Sequence, residues 1–71
     1  MFCRNKFEGT LKFKRVSVED LAGHMNINRA TLYKKIAQKS DFTRAEVQII
    51  KNYLGLSTEE VMDIFYGEEV A

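Results

Sequence analysis

Apolar residues recur along this chain at the spacing of amphipathic α-helices. The most regular stripe is Val18, Leu21, Ala22 and Met25, with apolar side chains at i, i+3, i+4 and i+7. Shorter stripes of the same period are formed by Leu32 with Ile36, by Val47 with Ile50 and Leu54, and by Val61 with Ile64 and Phe65. Each stripe makes one face of a helix apolar, so the pattern predicts an all-α fold.

Capping residues predict where the first two of these helices begin and end. Ser17, followed by two carboxylates within three residues, predicts a helix that begins at Val18. Asn26 tolerates the left-handed backbone conformation that ends many helices, so it predicts the end of this helix one residue earlier. Asn28 is a good N-cap and predicts a second helix over about 28–38.

Two further helices are bounded by the same kind of residue. Thr43 and Glu46 have the spacing of a capping box, and Gly55 suits the C-terminal cap of the helix that they begin. Ser57 then caps a last helix, whose first turn holds two glutamates. The final residues, 66–71, are predicted to be non-helical.

The segment 5–16 is open to two interpretations. Phe7 and Leu11 are four residues apart and suit a helix over about 5–14. However, the four residues from Leu11 onward alternate between apolar and basic, as in a strand, and Gly9 is a poor helix former. We prefer the helix, because it supplies a third wall against which the next two helices can bury their apolar stripes.

Length and composition predict one soluble globular domain, 1–71, built as a compact bundle of four to five short helices. No apolar segment approaches the roughly 20 residues that span a membrane, and the N-terminus lacks the apolar core of a signal peptide. We therefore expect a cytoplasmic protein with no membrane partner. One cysteine, Cys3, and one histidine, His24, are too few for a metal centre. No phosphate loop, nucleophile elbow or dinucleotide motif occurs, so we expect no enzymatic activity and no cofactor.

The charges of the chain are unevenly distributed, although the net charge is only +1. Residues 1–44 hold ten Lys and Arg against four Asp and Glu, a net charge of +6, whereas residues 45–71 hold one against six, a net charge of −5. This asymmetry favours a molecule with one side facing a polyanion and another side turned away from it. The alternative is that a small domain acquires such asymmetry by chance.

The connection between the two helices on either side of Asn26 and Ile27 is only a few residues long. A turn this short makes two helices cross steeply and leaves the N-terminal half of the second helix protruding. A protruding helix fits the DNA major groove, which is about 12 Å wide. Residues 17–38 are therefore predicted to form a helix-turn-helix.

From about Phe7 to Phe65, most of its length, the chain resembles the phage Cro and repressor-type helix-turn-helix family, the Xre-like domains. The resemblance rests on Ser17-Val18-Glu19-Asp20-Leu21-Ala22, the turn Asn26-Ile27, Arg29-Ala30-Thr31-Leu32, Phe42-Thr43, Leu54-Gly55-Leu56-Ser57 and Glu59-Glu60-Val61. The compact layout is most similar to the short single-domain phage members. The resemblance implies a lambda-repressor-like fold and sequence-specific operator binding, usually as dimers on palindromic DNA.

Asn26 departs mildly from the pattern of the family, because it stands where glycine is usual but can adopt the same backbone conformation. Two further residues also depart from the pattern. Val18 stands where the family often has a glutamine that contacts a phosphate. Lys35 stands at a position that is often apolar or aromatic, while Ile36 takes the packing role. The resemblance implies that the second helix of the motif, over about 28–38, is the recognition helix. The Lys35 departure leaves open how far this helix is rotated about its axis, and thus which of its side chains face a groove.

The expected base contacts lie in the first half of the recognition helix, at Asn28, Arg29, Ala30 and Tyr33. Arg29 is the first choice, because a guanidinium pairs bidentately with guanine O6 and N7. Tyr33 lies one turn further on, where it can touch a thymine methyl or a phosphate; the alternative is packing on the rim of the domain. Asn28 and Ala30 also have simpler explanations, as an N-cap and as a good helix former.

The expected phosphate contacts are Ser17, Thr31, Lys34, Lys35, Lys39, Ser40 and Arg44. Such contacts fix the position of a protein on DNA without reading its sequence. For any single lysine, a solvated side chain without a DNA contact is an equal alternative. Possible dimer contacts are Phe65, Tyr66 and Val70, for which packing on the core is the alternative. A symmetric dimer on a pseudo-palindromic operator places its two recognition helices about 34 Å apart.

The main functional hypothesis is a sequence-specific DNA-binding regulator of transcription, a Cro-like repressor of a phage or prophage. It would act in the cytoplasm of a bacterial host cell, on the nucleoid, as a homodimer on double-stranded DNA. A second hypothesis is a helical protein–protein interaction module that modulates another regulator, which the near-zero net charge and the acidic tail favour. A third is an architectural protein that binds DNA without sequence preference.

Overall fold

Five α-helices account for most of residues 2–67, the part of the chain that the computed structural model describes. In chain order they are α1 (Arg4–Lys14), α2 (Val18–Met25), α3 (Arg29–Ile36), α4 (Arg44–Leu54) and α5 (Thr58–Phe65). No strand occurs among the described residues. The all-α prediction is thus confirmed, and the segment 5–16 is decided in favour of the helix.

The strand-like alternation within α1 reflects a helix with only a narrow apolar face. Phe7 and Leu11 are buried, whereas Phe13 stands away from them and is 82% exposed. The helix ends at Arg15, whose φ of 59° is left-handed and whose N–H donates to the carbonyl of Lys12. The helix therefore has the usual C-terminal geometry without the usual glycine.

Three helices begin with reciprocal capping boxes, formed by Ser17 with Asp20, by Thr43 with Glu46 and by Ser57 with Glu60. In each box the cap hydroxyl accepts from a backbone N–H three residues on, at 3.0–3.1 Å. The carboxylate of the third residue accepts in return from the N–H of the cap. The Ser57 N–H, with help from the Ser57 hydroxyl, holds the pKa of Glu60 below its usual value.

One apolar core lies between the five helices. Its most completely buried side chains are Phe7, Leu21, Leu32, Ile36 and Ile50. Helix α2 packs against α3 and α4, and α5 packs against α1 and α4. The apolar stripes predicted from the sequence all face this core, with Val18 at its edge. The stripes of α2 and α3 therefore hold these two helices together and leave their opposite faces outside.

Four phenylalanines from separate parts of the chain close one end of the core. Phe2, Phe7, Phe42 and Phe65 have ring centroids 5.2–5.9 Å apart. Phe65 is only 6% exposed within this cluster, so it packs on the core, which was the alternative to a contact with a twin subunit. The predicted contact Val70 lies outside the described residues.

Candidate nucleic-acid interface

The turn between α2 and α3 consists of Asn26, Ile27 and Asn28. Asn26 adopts the predicted left-handed conformation, with φ 58° and ψ 42°, and its N–H donates to the last turn of α2. Ile27 packs against the core, and the side-chain oxygen of Asn28 accepts from the N–H of Ala30 at 2.8 Å. The three residues thus end one helix, anchor the turn and begin the next helix, as a helix-turn-helix requires.

Helix α3 has one buried side and one broad exposed side. Leu32, Lys35 and Ile36 are buried, whereas Arg29, Ala30, Thr31, Tyr33 and Lys34 are exposed. A helix turns by roughly 100° per residue, so Ala30 and Lys34 point most directly away from the core. Arg29 and Tyr33 lie to one side of this outermost line and Thr31 to the other. The structure thus defines the rotation that the sequence left open.

Arg29 leans back towards α2, where its guanidinium lies 3.5 Å from a carboxylate oxygen of Glu19. Both side chains are well exposed, at 61% and 75%. An exposed ion pair of this kind contributes about 0–1 kcal/mol, so a phosphate or a base edge can displace Glu19. Until it is displaced, the pair orients Arg29 along the surface shared by α2 and α3.

Lys35 does not reach the surface, and its predicted role as a phosphate contact is corrected. Its side chain is only 10% exposed, and its ammonium donates to the carbonyl of Asp41 at 3.0 Å. The same ammonium lies 3.1 Å from a carboxylate oxygen of Glu46. A buried ammonium requires such partners, because desolvating an unpaired charge is costly. Lys35 therefore ties the end of α3 to the start of α4.

Glu46 combines this ion pair with the capping box of α4. Burial opposes its ionisation, but the Thr43 N–H and the Lys35 ammonium together outweigh burial and hold the pKa of the Glu46 carboxyl below its usual value. The carboxylate accepts from the Thr43 N–H at 2.8 Å. One charged side chain therefore stabilises both the start of α4 and the position of α3.

The remaining predicted phosphate contacts are all exposed, at Ser17, Thr31, Lys34, Lys39, Ser40 and Arg44. Lys39 follows α3 closely, because its N–H donates to the carbonyl of Lys34 at 2.9 Å. The structure thus brings these two lysines to the same end of α3. Arg44 instead lines a groove together with Met62 and Tyr66, beside α5. Tyr66, a predicted dimer contact, is 47% exposed there.

Two side-chain contacts between helices at and near the candidate site could not be predicted from the sequence. The partner of Arg29 is Glu19 of α2, which had been read only as a first-turn carboxylate. His24 of α2 stacks on Tyr53 of α4, with ring centroids 4.0 Å apart and planes inclined by 22°. Neither pair has a signal in the local sequence, since each depends on how α2 lies against another helix.

The described residues contain no cluster of three or more His, Cys, Asp or Glu side chains with the geometry of a metal site. None of the helices in residues 2–67 is long and apolar enough to cross a membrane. Comparison with protein families, with curated proteins and with solved structures found no match for this chain.

Proposed function

We propose that this protein is a sequence-specific DNA-binding regulator of transcription that inserts α3 into the major groove. The observation that carries the proposal is the exposed side of α3, which presents Arg29, Tyr33 and Lys34 around the small side chain of Ala30. Ala30 lets the helix backbone approach the floor of a groove. The flanking side chains supply a guanidinium, a phenol and an ammonium for base edges and phosphates.

The short turn supports the same proposal, because it holds α3 against α2 from one side only. Leu32 and Ile36 anchor α3 in the core, while Lys35 fixes its far end to α4. A recognition helix needs this rigidity, since groups that read bases must be held in place before binding. Asn28 and Ser17 both use their side chains as N-caps, so any DNA contact from them is additional to that role.

The resemblance of residues 7–65 to the Cro and repressor family extends the proposal to a phage or prophage repressor. It would act on the nucleoid of a bacterial cell, as a homodimer on a pseudo-palindromic operator. Each protomer would then place its α3 in one half-site, with the half-sites about 34 Å apart. Lys34 and Lys39, at the C-terminal end of α3, would contact phosphates, while Arg29, at its N-terminal end, would read a base.

Selection from a random double-stranded DNA library at two salt concentrations tests this proposal. The expected result is an enriched, two-fold-symmetric site that is retained at the higher salt concentration. Binding that is indifferent to sequence and falls steeply with salt would instead support the architectural function. The absence of any binding would contradict both DNA functions.

A protein-interaction module remains the second candidate, and one observation favours it. Arg29 already has an acidic partner in Glu19, and both side chains are exposed on the surface shared by α2 and α3. A surface with both signs of charge suits a protein partner better than a polyanion. The library selection separates the two candidates, because only the regulator enriches a site.

A further inference from the structure

The most exposed of the large apolar side chains among residues 2–67 is Phe13, on the side of the molecule formed by α1 and α5. It stands at the rim of a groove of about 360 Å³ between these two helices. Gly9, Thr10 and Phe13 itself line the groove on α1, and Ile64 lines it on α5. Four charged residues complete the lining: Lys6, Lys14, Glu60 and Asp63. An apolar knob and a partly apolar groove therefore lie side by side on one face, the α1/α5 face.

The groove has room for an aromatic ring. A Cβ atom at Gly9 would meet no heavy atom within 4 Å, so the wall of α1 is open at that point. A cavity of about 150 Å³ is already large enough to take up benzene. We propose that a second copy of this chain docks on the α1/α5 face, with Phe13 of each copy in the groove of the other.

The charges of the two helices favour a second copy over another occupant. Helix α1 carries Arg4, Lys6, Lys12 and Lys14 against a single acidic residue, Glu8. Helix α5 carries Glu59, Glu60 and Asp63 and no basic residue. Within one chain the Lys6 ammonium already bonds the Asp63 carboxylate at 2.6 Å. A two-fold axis that sets α1 of one copy beside α5 of the other brings opposite charges together on both sides.

The small size of the face indicates a weak, reversible association. Helix α1 has 11 residues and α5 has 8, which correspond to lengths of roughly 16 and 12 Å. Two helices of this length present less than the about 800 Å² per partner of a standard protein interface. The dimer therefore forms reversibly, at micromolar or higher protein concentration, and weakens as salt screens the α1 and α5 charges.

Sedimentation equilibrium of the full chain without DNA, from low micromolar to submillimolar concentration, measures this association. Phe13→Gln removes the knob, and Gly9→Gln fills the groove. We expect each to raise the dimer dissociation constant about tenfold or more. Neither residue contributes to the core, and circular dichroism of each variant verifies that it folds.

Two matched controls separate the α1/α5 face from other surfaces. Gly23→Gln changes a helical glycine that is equally open but lies on α2, and Met62→Gln changes an exposed apolar residue beside Tyr66. We expect both controls to dimerise as the unmodified chain does. The proposal is overturned if the chain stays monomeric throughout, or if Met62→Gln rather than Phe13→Gln abolishes the dimer.

The proposed dimer does not depend on what α3 binds. Sedimentation without DNA can therefore fail while the library selection still enriches a site. Conversely, a chain that dimerises through Phe13 but enriches no DNA contradicts only the proposed function.

Discussion

Substitution of Arg29 is the sharpest way to test whether α3 reads bases or is only attracted to the charge of DNA. It lies on the exposed side of the helix, in its first turn, and its only ion-pair partner within residues 2–67 is the exposed Glu19. Nothing in the core depends on it. Its removal should therefore change binding without changing the stability of the fold.

We predict that Arg29→Ala weakens binding to the enriched site by about 1–3 kcal/mol and relaxes the preference at one base pair. Fluorescence anisotropy with duplexes altered at each position in turn measures both effects. Lys39→Ala is the control, because loss of a phosphate contact should weaken all sequences alike and reduce the salt slope by about 1. If Arg29→Ala leaves the base preference unchanged, the proposed orientation of α3 on DNA is wrong.

Lys35 and Lys34 are neighbours in sequence with opposite environments. Lys35 is paired beneath the surface with Glu46 and Asp41, whereas Lys34 is exposed on the outermost line of α3. Substitution by methionine keeps the length of the side chain and removes its charge. The two variants therefore distinguish a lysine that stabilises the fold from a lysine that is available to bind DNA.

Lys35→Met should lower the free energy of unfolding by about 1–3 kcal/mol, because it leaves Glu46 and the Asp41 carbonyl without their shared donor. In a domain of this size each kcal/mol corresponds to roughly 4–8 °C in Tm. Thermal denaturation followed by circular dichroism measures the loss. Lys34→Met should leave Tm almost unchanged and weaken DNA binding; the opposite pattern would refute the assignment of both lysines.

The capping boxes make the stability of helices α4 and α5 depend on carboxylate ionisation. The pKa of Glu46 is lowered in the folded chain, against the opposing effect of burial, by the Thr43 N–H and the Lys35 ammonium. A group with a lowered folded pKa stabilises the fold above its unfolded pKa, here about 4.5. That stabilisation is lost as the pH falls through the folded pKa.

We therefore predict that chemical denaturation shows stability falling below about pH 4.5, with the loss reduced in Glu46→Gln. Glutamine can still accept from the Thr43 N–H, so the cap is kept while the titration is removed. Glu60, whose pKa is lowered by Ser57, retains its own contribution in this variant. A pH profile of Glu46→Gln that is identical to that of the unmodified chain would show that Glu46 does not carry this dependence.

Two exposed glycines test the helical geometry directly. Gly9 lies inside α1, whereas Gly55 ends α4 with a left-handed φ of 66°. Neither position has a neighbouring atom within 4 Å of an added Cβ, so space does not distinguish them. Only the backbone conformation does.

Gly9→Ala should raise the free energy of unfolding by about 0.5–1 kcal/mol, since alanine favours a helix interior. Gly55→Ala should lower it by roughly 1 kcal/mol, because a Cβ is strained in the left-handed region. Thermal denaturation of the pair measures the two signs. Equal shifts in the same direction would contradict the end of α4 at Gly55.

At the scale of the whole molecule, the polar contacts that position α3 differ from those that mark where the helices begin and end. The helix ends follow from local signals, and Asn26, Asn28 and the Thr43–Glu46 box all behave as the sequence predicts. These are interactions within four residues, so their chemistry is visible along the chain. The fold class follows from the same signals, because apolar stripes without strands between them have to pack helix on helix.

The differences from the sequence predictions concern residues whose contacts lie more than one helical turn away along the chain. The burial of Lys35 depends on Asp41 and Glu46. The burial of Phe65 depends on Phe2, Phe7 and Phe42. A lysine in a helix ordinarily points to solvent, and no periodicity indicates otherwise. The candidate site was therefore predicted at the level of the exposed helix, but not in its supporting contacts.

The recognition role of α3 is tested most directly by NMR. Titration of the ¹⁵N-labelled chain with the enriched duplex follows every backbone amide at once. We predict that the largest changes in amide chemical shift fall on Asn28, Arg29, Ala30, Tyr33 and Lys34, with smaller changes at Lys39. Changes confined to α1 and α5, or no changes at a saturating duplex concentration, would contradict the assignment of α3 as the DNA-reading helix.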